Sequence, residues 1–267
     1  MTGVQTCALP ICVKLYGPDT SSAAQAMDYL PQLLDDPTVS DALAFVGFHE
    51  YTASPDVGDV VRYVRQRRPD LPVVVTEYTS FRFGELDDGQ EATDELGYML
   101  DALNTVVSHY RHGADAAVYW DVVDYLQPGH DAITKWGLLR GPADNFERRQ
   151  RYYGFLQVLP YLQPGAVVLD SRQEGGDDLG SLAIRTADGG LAVFLVNPGS
   201  GPLELDLIFE GAGGPSSLAV LRTDSRAAAD RLDRVDVRDG RGRVSLPGRS
   251  VTTLLSPDPA AGPAAGN

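Results

Sequence analysis

Four short apolar runs, VKLYG (13–17), ALAFVGFHEYT (42–52), LPVVVTEYT (71–79) and AAVYWDVV (116–123), are separated by longer stretches of a different period. In those stretches the apolar residues recur every three or four positions: Ala26, Met27, Leu30, Leu33 and Leu34; then Val57, Val60, Val61 and Val64; then Leu96, Met99, Leu100, Leu103, Val107 and Tyr110. Such alternation is the pattern of repeated βα units around a parallel sheet. A fourth helix is expected from Asp144, with Glu147 three residues on as a capping box, Tyr152, Phe155, Leu156 and Leu159 turned inward, and Pro160 as the stop.

After Pro164 and Gly165 the period becomes two. Alternating runs near 166–170, 181–186, 191–196, 203–209, 218–223, 232–237, 242–246 and 250–255 predict an antiparallel β-sandwich of about eight strands. The closing segment PDPAAGPAAGN offers no apolar side chain larger than alanine or proline, so 257–267 is expected to be a disordered tail.

Acidic residues outnumber basic ones 37 to 22, a net charge of −15 and the wrong sign for neutralising phosphates. Nucleic acid and an anionic membrane surface are therefore excluded as expected partners. No apolar run approaches the roughly 20 residues that a membrane-spanning helix needs.

Residues 2–11, TGVQTCALPI, resemble the translation of a sequencing-library adapter. On that reading residues 1–12 are an artefact, Cys7 and Cys12 carry no information about redox compartment, and the protein's own sequence begins upstream of Val13. Localisation stays open.

In βα barrels the reacting groups sit where strands end, so the residues closing each run are the candidates. The second run ends in His49 and Tyr51, two apart and so on one face, with Glu50 turned the other way. The third ends in Glu77 and Tyr78, where strict alternation places Val73, Val75 and Glu77 inward and Val74 and Thr76 against the helices. The fourth ends in Trp120 and Asp121, and the flat face of Trp120 suits a sugar ring. A histidine and a tyrosine beside Glu77 would donate hydrogen bonds that hold its carboxylate as a nucleophile. Two following loops offer substrate walls: Phe81, Arg82 and Phe83 after Glu77, then Asp124, Tyr125, His130, Lys135 and Trp136 after Trp120.

FHEYT, VVVTEYTSF and VYWD, in that order on successive strands, resemble the sixth, seventh and eighth strands of glycoside hydrolase clan A barrels. VKLYGPDTS resembles the fifth strand, and LPGRSVTTLL resembles the last strands of the β-sandwich attached to families 39, 30 and 51; family 5 shares the barrel, and family 39 is the preferred member. The resemblance implies an α/β plus all-β chain. Residues 13–163 would be the C-terminal half of a TIM (β/α)8 barrel, strands 5 to 8, and 164–256 a β-sandwich.

It further implies a retaining glycosidase acting on an oligo- or polysaccharide or glycoside. Glu77 is its nucleophile, His49 and Tyr51 orient it, and Trp120, Tyr78, Phe81 and Trp136 contact substrate. The clan's acid/base is the glutamate of an Asn-Glu pair ending the fourth strand, and this sequence has no Asn-Glu dipeptide. Glu50, turned toward the helices, and Glu85, in a polar loop, are poor substitutes, so the chain alone is expected to be inactive. The alternative is a non-catalytic carbohydrate-binding or scaffold protein on a degenerate barrel. His109 and His112 sit at a helix end, where the dipole accounts for them without a metal, and no cofactor or metal is expected.

Overall fold

The computed structural model describes residues 14–80, 94–124, 135–141, 145–176, 178–210 and 214–256. The expected adapter segment and tail, with Cys7, Cys12, Phe81, Arg82, Phe83, Glu85, Tyr125, His130 and Asp144, lie outside the described residues. No helix among the described residues is long and apolar enough to cross a membrane.

The first half alternates strands and helices: β1 (Leu15–Pro18), α1 (Ala23–Leu34), α2 (Pro37–Ala42), β2 (Leu43–His49), α3 (Asp56–Arg67), β3 (Val73–Tyr78), α4 (Glu95–Arg111) and β4 (Ala116–Tyr119). The four strands pair in chain order, all parallel. Three helices bury most of the stripe read from their period: Ala26, Leu30 and Leu34 on α1, Val57, Val60 and Val64 on α3, and Leu96, Met99, Leu100, Leu103 and Val107 on α4, while Met27, Leu33, Val61 and Tyr110 are partly buried and the short α2 was not expected. Ser22 caps α1 by accepting from the backbone N–H of Gln25, and Asp94 caps α4 by accepting from that of Gly97.

The expected fourth helix is shorter than its pattern. Glu147 lies in β6 (Glu147–Arg148), paired with β5 (Leu139–Arg140), and α5 (Gln150–Leu156) starts only after it. Phe155 is buried as expected, but Leu156 and Leu159 are exposed. A β ladder has taken Glu147, the described member of the expected capping box, and the single turn Leu159–Tyr161 is 3-10.

The second half comprises β7 (Val167–Val168), β8 (Gly180–Arg185), β9 (Leu191–Asn197), β10 (Leu203–Ile208), β11 (Ser217–Thr223), β12 (Ala228–Asp236), β13 (Arg241–Leu246) and β14 (Ser250–Ser256). Six of these form one antiparallel sheet, β12-β11-β14-β9-β8-β7, while β10 and β13 pair separately. The alternation expected for all eight breaks in β9 and β14, where the run Phe194–Asn197 and nearly all of β14 are buried. Both faces of the larger sheet are covered. Leu182, Ile184, Phe194 and Val251 share the core of the helices, whereas Leu195, Leu218, Val220 and Leu254 pack with Val244 and Leu246 of β13. Strands buried on two sides read as continuous apolar runs. The two threonines in β14 stay satisfied there, Thr253 by donating to the Gln157 carbonyl at 3.0 Å and Thr252 by accepting from Arg222 at 3.3 Å.

Candidate functional site

The helix-facing side of β3 is marked by Val73 and Val75, both fully buried in the helical core. Strict alternation would send Glu77 the same way. The pairing shows why it does not: Phe48 lies opposite Val75 and His49 opposite Glu77, one step along β2 against two along β3. On the other side Val75 and Tyr78 oppose Ala117 and Tyr119, again one residue too many in β3. This is a β-bulge, the device that re-aims a side chain. Thr76 and Glu77 both emerge on the face away from the helices, and Tyr78 returns to the buried side. The expected facing of β3 is thus corrected: the valines expected inward line the helices, and Glu77 arrives at the opposite face through the bulge.

There Glu77 meets the end of β2. The Tyr51 hydroxyl donates to Glu77 Oε1. Since that uses the only phenolic proton, the contact between His49 Nδ1 and Tyr51 Oη at 3.1 Å has the imidazole N–H as donor. His49 Nε2 lies 3.8 Å from Glu77 Oε2 and 3.6 Å from Asp19 Oδ1. Burial, and then the hydrogen bond to Glu77, raises the Tyr51 pKa far above the usual tyrosine value, so the phenol remains a donor.

Asp19, just after β1, is a site residue that the sequence reading did not single out. It accepts from the Thr76 hydroxyl at 2.7 Å, and its backbone takes the left-handed conformation, φ 57°, that aspartate tolerates better than most residues. The only sequence signal was a carboxylate closing the first apolar run. Gly47 makes room for this layer: a Cβ there would lie 2.8 Å from the Thr76 methyl and 2.9 Å from the Tyr16 ring.

Glu50 faces the helices as expected. It is buried and accepts from the Ala23 N–H at the start of α1 and from the backbone N–H and hydroxyl of Thr52. These bonds tie it to the helix side of the sheet.

Trp120 is half-buried at the end of β4, its backbone N–H donating to the Tyr78 carbonyl at 2.8 Å. Both carboxylate oxygens of the next residue, Asp121, are buried with no hydrogen-bond partner among the described residues. Burial first, and the nearby Asp124 second, push its pKa up to about 7 against the pull of Arg151 and Arg149. Asp124 accepts from the Gly137 N–H at 2.8 Å and from Arg149 at 3.0 Å. Arg149 and the fully buried Arg151 share Glu95, and Arg151 also lies 3.7 Å over the Tyr98 ring. Burial works against the Glu95 charge, but the two guanidiniums overcome it and hold the carboxyl below its ordinary value. Sequence reasoning missed this network because its members are scattered over α4, the loop after β4, and α5.

Tyr78, expected to contact substrate, is 1% exposed and lies edge-on to His109 and Tyr119 on the helix side. The bulge accounts for the correction. Trp136 packs against the core, and its carbonyl accepts from Tyr119 at 2.8 Å. His109 is buried against the Thr52 carbonyl at 3.1 Å, and His112 Nδ1 bonds the Ser108 carbonyl at 2.8 Å. No group of three or more potential metal ligands occurs among the described residues.

No protein-family model matches the chain, and no curated protein does. Solved structures do. A GH30 endoxylanase from Clostridium papyrosolvens C71 matches 91% of this chain and 55% of its own, with a TM-score of 0.69 at 19% identity. The family 30 subfamily 8 xylanase Xyn30A from Clostridium acetobutylicum matches the same shares at a TM-score of 0.66 and 17% identity. The fold is that of clan A glycoside hydrolases. A GH51 arabinofuranosidase from Xanthomonas axonopodis pv. citri extends the likeness, with 90% of this chain, 57% of the other, a TM-score of 0.61 and 14% identity. At such identities the likeness is one of fold. The chain spans about half the length of these structures.

Proposed function

We propose that this chain is the C-terminal part of a retaining glycosidase in which Glu77 is the nucleophile. The observation that carries the reading is the convergence of Tyr51 and His49 on Glu77 at the C-terminal end of β3, the end of a βα sheet where chemistry is placed. Residues 13–163 are read as strands 5 to 8 of a (β/α)8 barrel, followed by a β-sandwich over 164–256. The glycoside hydrolase neighbours support an oligo- or polysaccharide as substrate, and two xylanases among them make xylo-oligosaccharides the first compounds to test.

In the reaction, a Glu77 oxygen attacks the anomeric carbon as the glycosidic C–O bond breaks. The leaving oxygen takes a proton from a second carboxyl about 5–5.5 Å from the first, and water then releases the sugar. Tyr51 and His49 orient Glu77, with Trp120 and Trp136 as stacking surfaces. The second carboxyl belongs to a strand upstream of Val13, so the 267-residue chain does not turn over ordinary glycosides. Measurable turnover by the purified chain would remove that part of the proposal.

The nucleophile is tested in the protein extended upstream by four βα units, using a 2-deoxy-2-fluoro-xyloside inactivator and mass spectrometry. A covalent adduct on Glu77 that disappears in Glu77→Gln is expected. Labelling that persists in the variant removes Glu77 from its role, and sugar binding with neither labelling nor turnover favours the non-catalytic binder.

A further inference from the structure

Asp19 reaches the site from the end of β1 and is fixed there in three ways. Its backbone N–H donates to the Gly47 carbonyl at 2.8 Å, its left-handed backbone sets the direction of the side chain, and its Oδ1 accepts from the Thr76 hydroxyl at 2.7 Å. Thr76 is the bulge residue left without an opposite number in β2. The carboxylate so held lies 3.6 Å from His49 Nε2, and the same nitrogen is 3.8 Å from Glu77 Oε2. The Thr20 carbonyl accepts from the His49 backbone N–H at 2.7 Å, so the turn after β1 and the end of β2 meet through main chain and side chain alike.

His49 Nδ1 is engaged with Tyr51, so Nε2 faces acceptors only, and a proton on it is shared by two carboxylates. Two acceptors are more than one imidazole nitrogen needs. They differ in what a retaining reaction does to them. Glu77 becomes a neutral ester when one of its oxygens bonds the anomeric carbon, whereas Asp19 forms no bond to the sugar and keeps its charge. Charge is what makes such a contact strong.

We propose that Asp19 is a positioning residue for the second half of the reaction: it keeps the Nε2 proton, and with it the His49 ring, in place while Glu77 is esterified. In that half, water adds its oxygen to the anomeric carbon and gives a proton to the upstream acid/base carboxylate, and the bond between sugar and Glu77 breaks with its electron pair returning to the glutamate. His49 and Tyr51 stabilise the returning charge, and donors already aimed at it need no reorganisation as it forms. The inference rests on the reading of Glu77 as nucleophile.

The test uses the upstream-extended protein and the 2-deoxy-2-fluoro-xyloside that probe the nucleophile. Formation of the covalent adduct and its release in buffer are separate rate constants, both read by mass spectrometry. Asp19→Asn keeps an acceptor for Thr76 and tolerates the left-handed backbone, so it removes the charge alone. It is expected to slow adduct release at least about tenfold more than it slows adduct formation. Asp19→Gly, at ease with that backbone, is the second variant and should show the same split. A labelled Glu77 whose release is unslowed, or slowed only as much as formation, overturns this inference alone. An unlabelled Glu77 in the protein that retains Asp19 overturns the nucleophile and this inference with it. A second measurement needs no sugar, because Glu77→Gln removes the same charge. Crystal structures should show the His49 ring in place in Glu77→Gln and displaced when Asp19→Asn is added, and a ring undisturbed in the double variant would overturn the inference whatever the labelling shows.

Discussion

The hydroxyl of Tyr51 donates to Glu77 across the seam between β2 and β3. Burial and the carboxylate together keep that proton on the phenol well beyond the ordinary tyrosine range. An ultraviolet difference titration taken to about pH 11, one unit past the usual tyrosine value, counts the phenols that ionise. Tyr51→Phe should remove none, and loss of a full tyrosine's amplitude in it would contradict the contact.

His109 lies with its ring against the edge of Tyr78, and burial is the main reason its pKa falls to about 4. The unfolded chain takes up that proton near pH 6.5, so between these values the unfolded state binds more protons than the folded one. The contribution of the neutral ring is fully present above about 6.5 and is lost as pH falls toward 4. It amounts to roughly 3 kcal/mol at most. Denaturant midpoints measured across this interval should decline in the wild type and lose that component of the slope in His109→Gln.

Asp121 has the opposite sign. Its folded pKa of about 7 lies above the unfolded value near 3.8, so the stability it contributes is complete below 3.8 and disappears as pH rises to 7. Asp121→Asn, neutral at every pH, should melt above the wild type at pH 8, with the difference closing at pH 4. Equal melting temperatures at pH 8 would show that Asp121 is not held off its charge by Asp124 and burial.

Arg151 is fully buried between Glu95 and the Tyr98 ring. Removing one member of such a pair leaves the other uncompensated, so Arg151→Met should cost roughly 3 kcal/mol in chemical denaturation. Glu95→Met combined with Arg151→Met should recover part of this, because the stranded charge goes too. A double variant no better than the single one would place the loss in packing on Tyr98.

Much of this was legible in the sequence because burial writes a period into it. The stripes of α1, α3 and α4 became buried faces, and the eight runs after Gly165 became eight strands. His49, Tyr51 and Glu77 were found because each closes an apolar run. Failures came where a long-range partner overrode local pattern. The β5 ladder took Glu147 from its helix, two covering layers erased alternation in β9 and β14, and Asp19, Asp121 and the Arg149–Arg151–Glu95 network announce themselves only through neighbours distant in sequence. Val73 and Val75 were assigned to the wrong side because a bulge leaves no mark on the composition of VVVTEY, and Tyr78 was given to the substrate by the resemblance alone.

That extra residue in β3 also acts as a selector between two chemistries written in the same six letters. Were β3 regular, Tyr78 would stand over the open face and Glu77 would be driven among Val73, Val75 and the aliphatic side chains of α4. A lone carboxylate in such a wall is costly enough to be driven neutral. The straight strand is therefore penalised by the very side chain it would misplace, so the glutamate helps hold its own strand out of step.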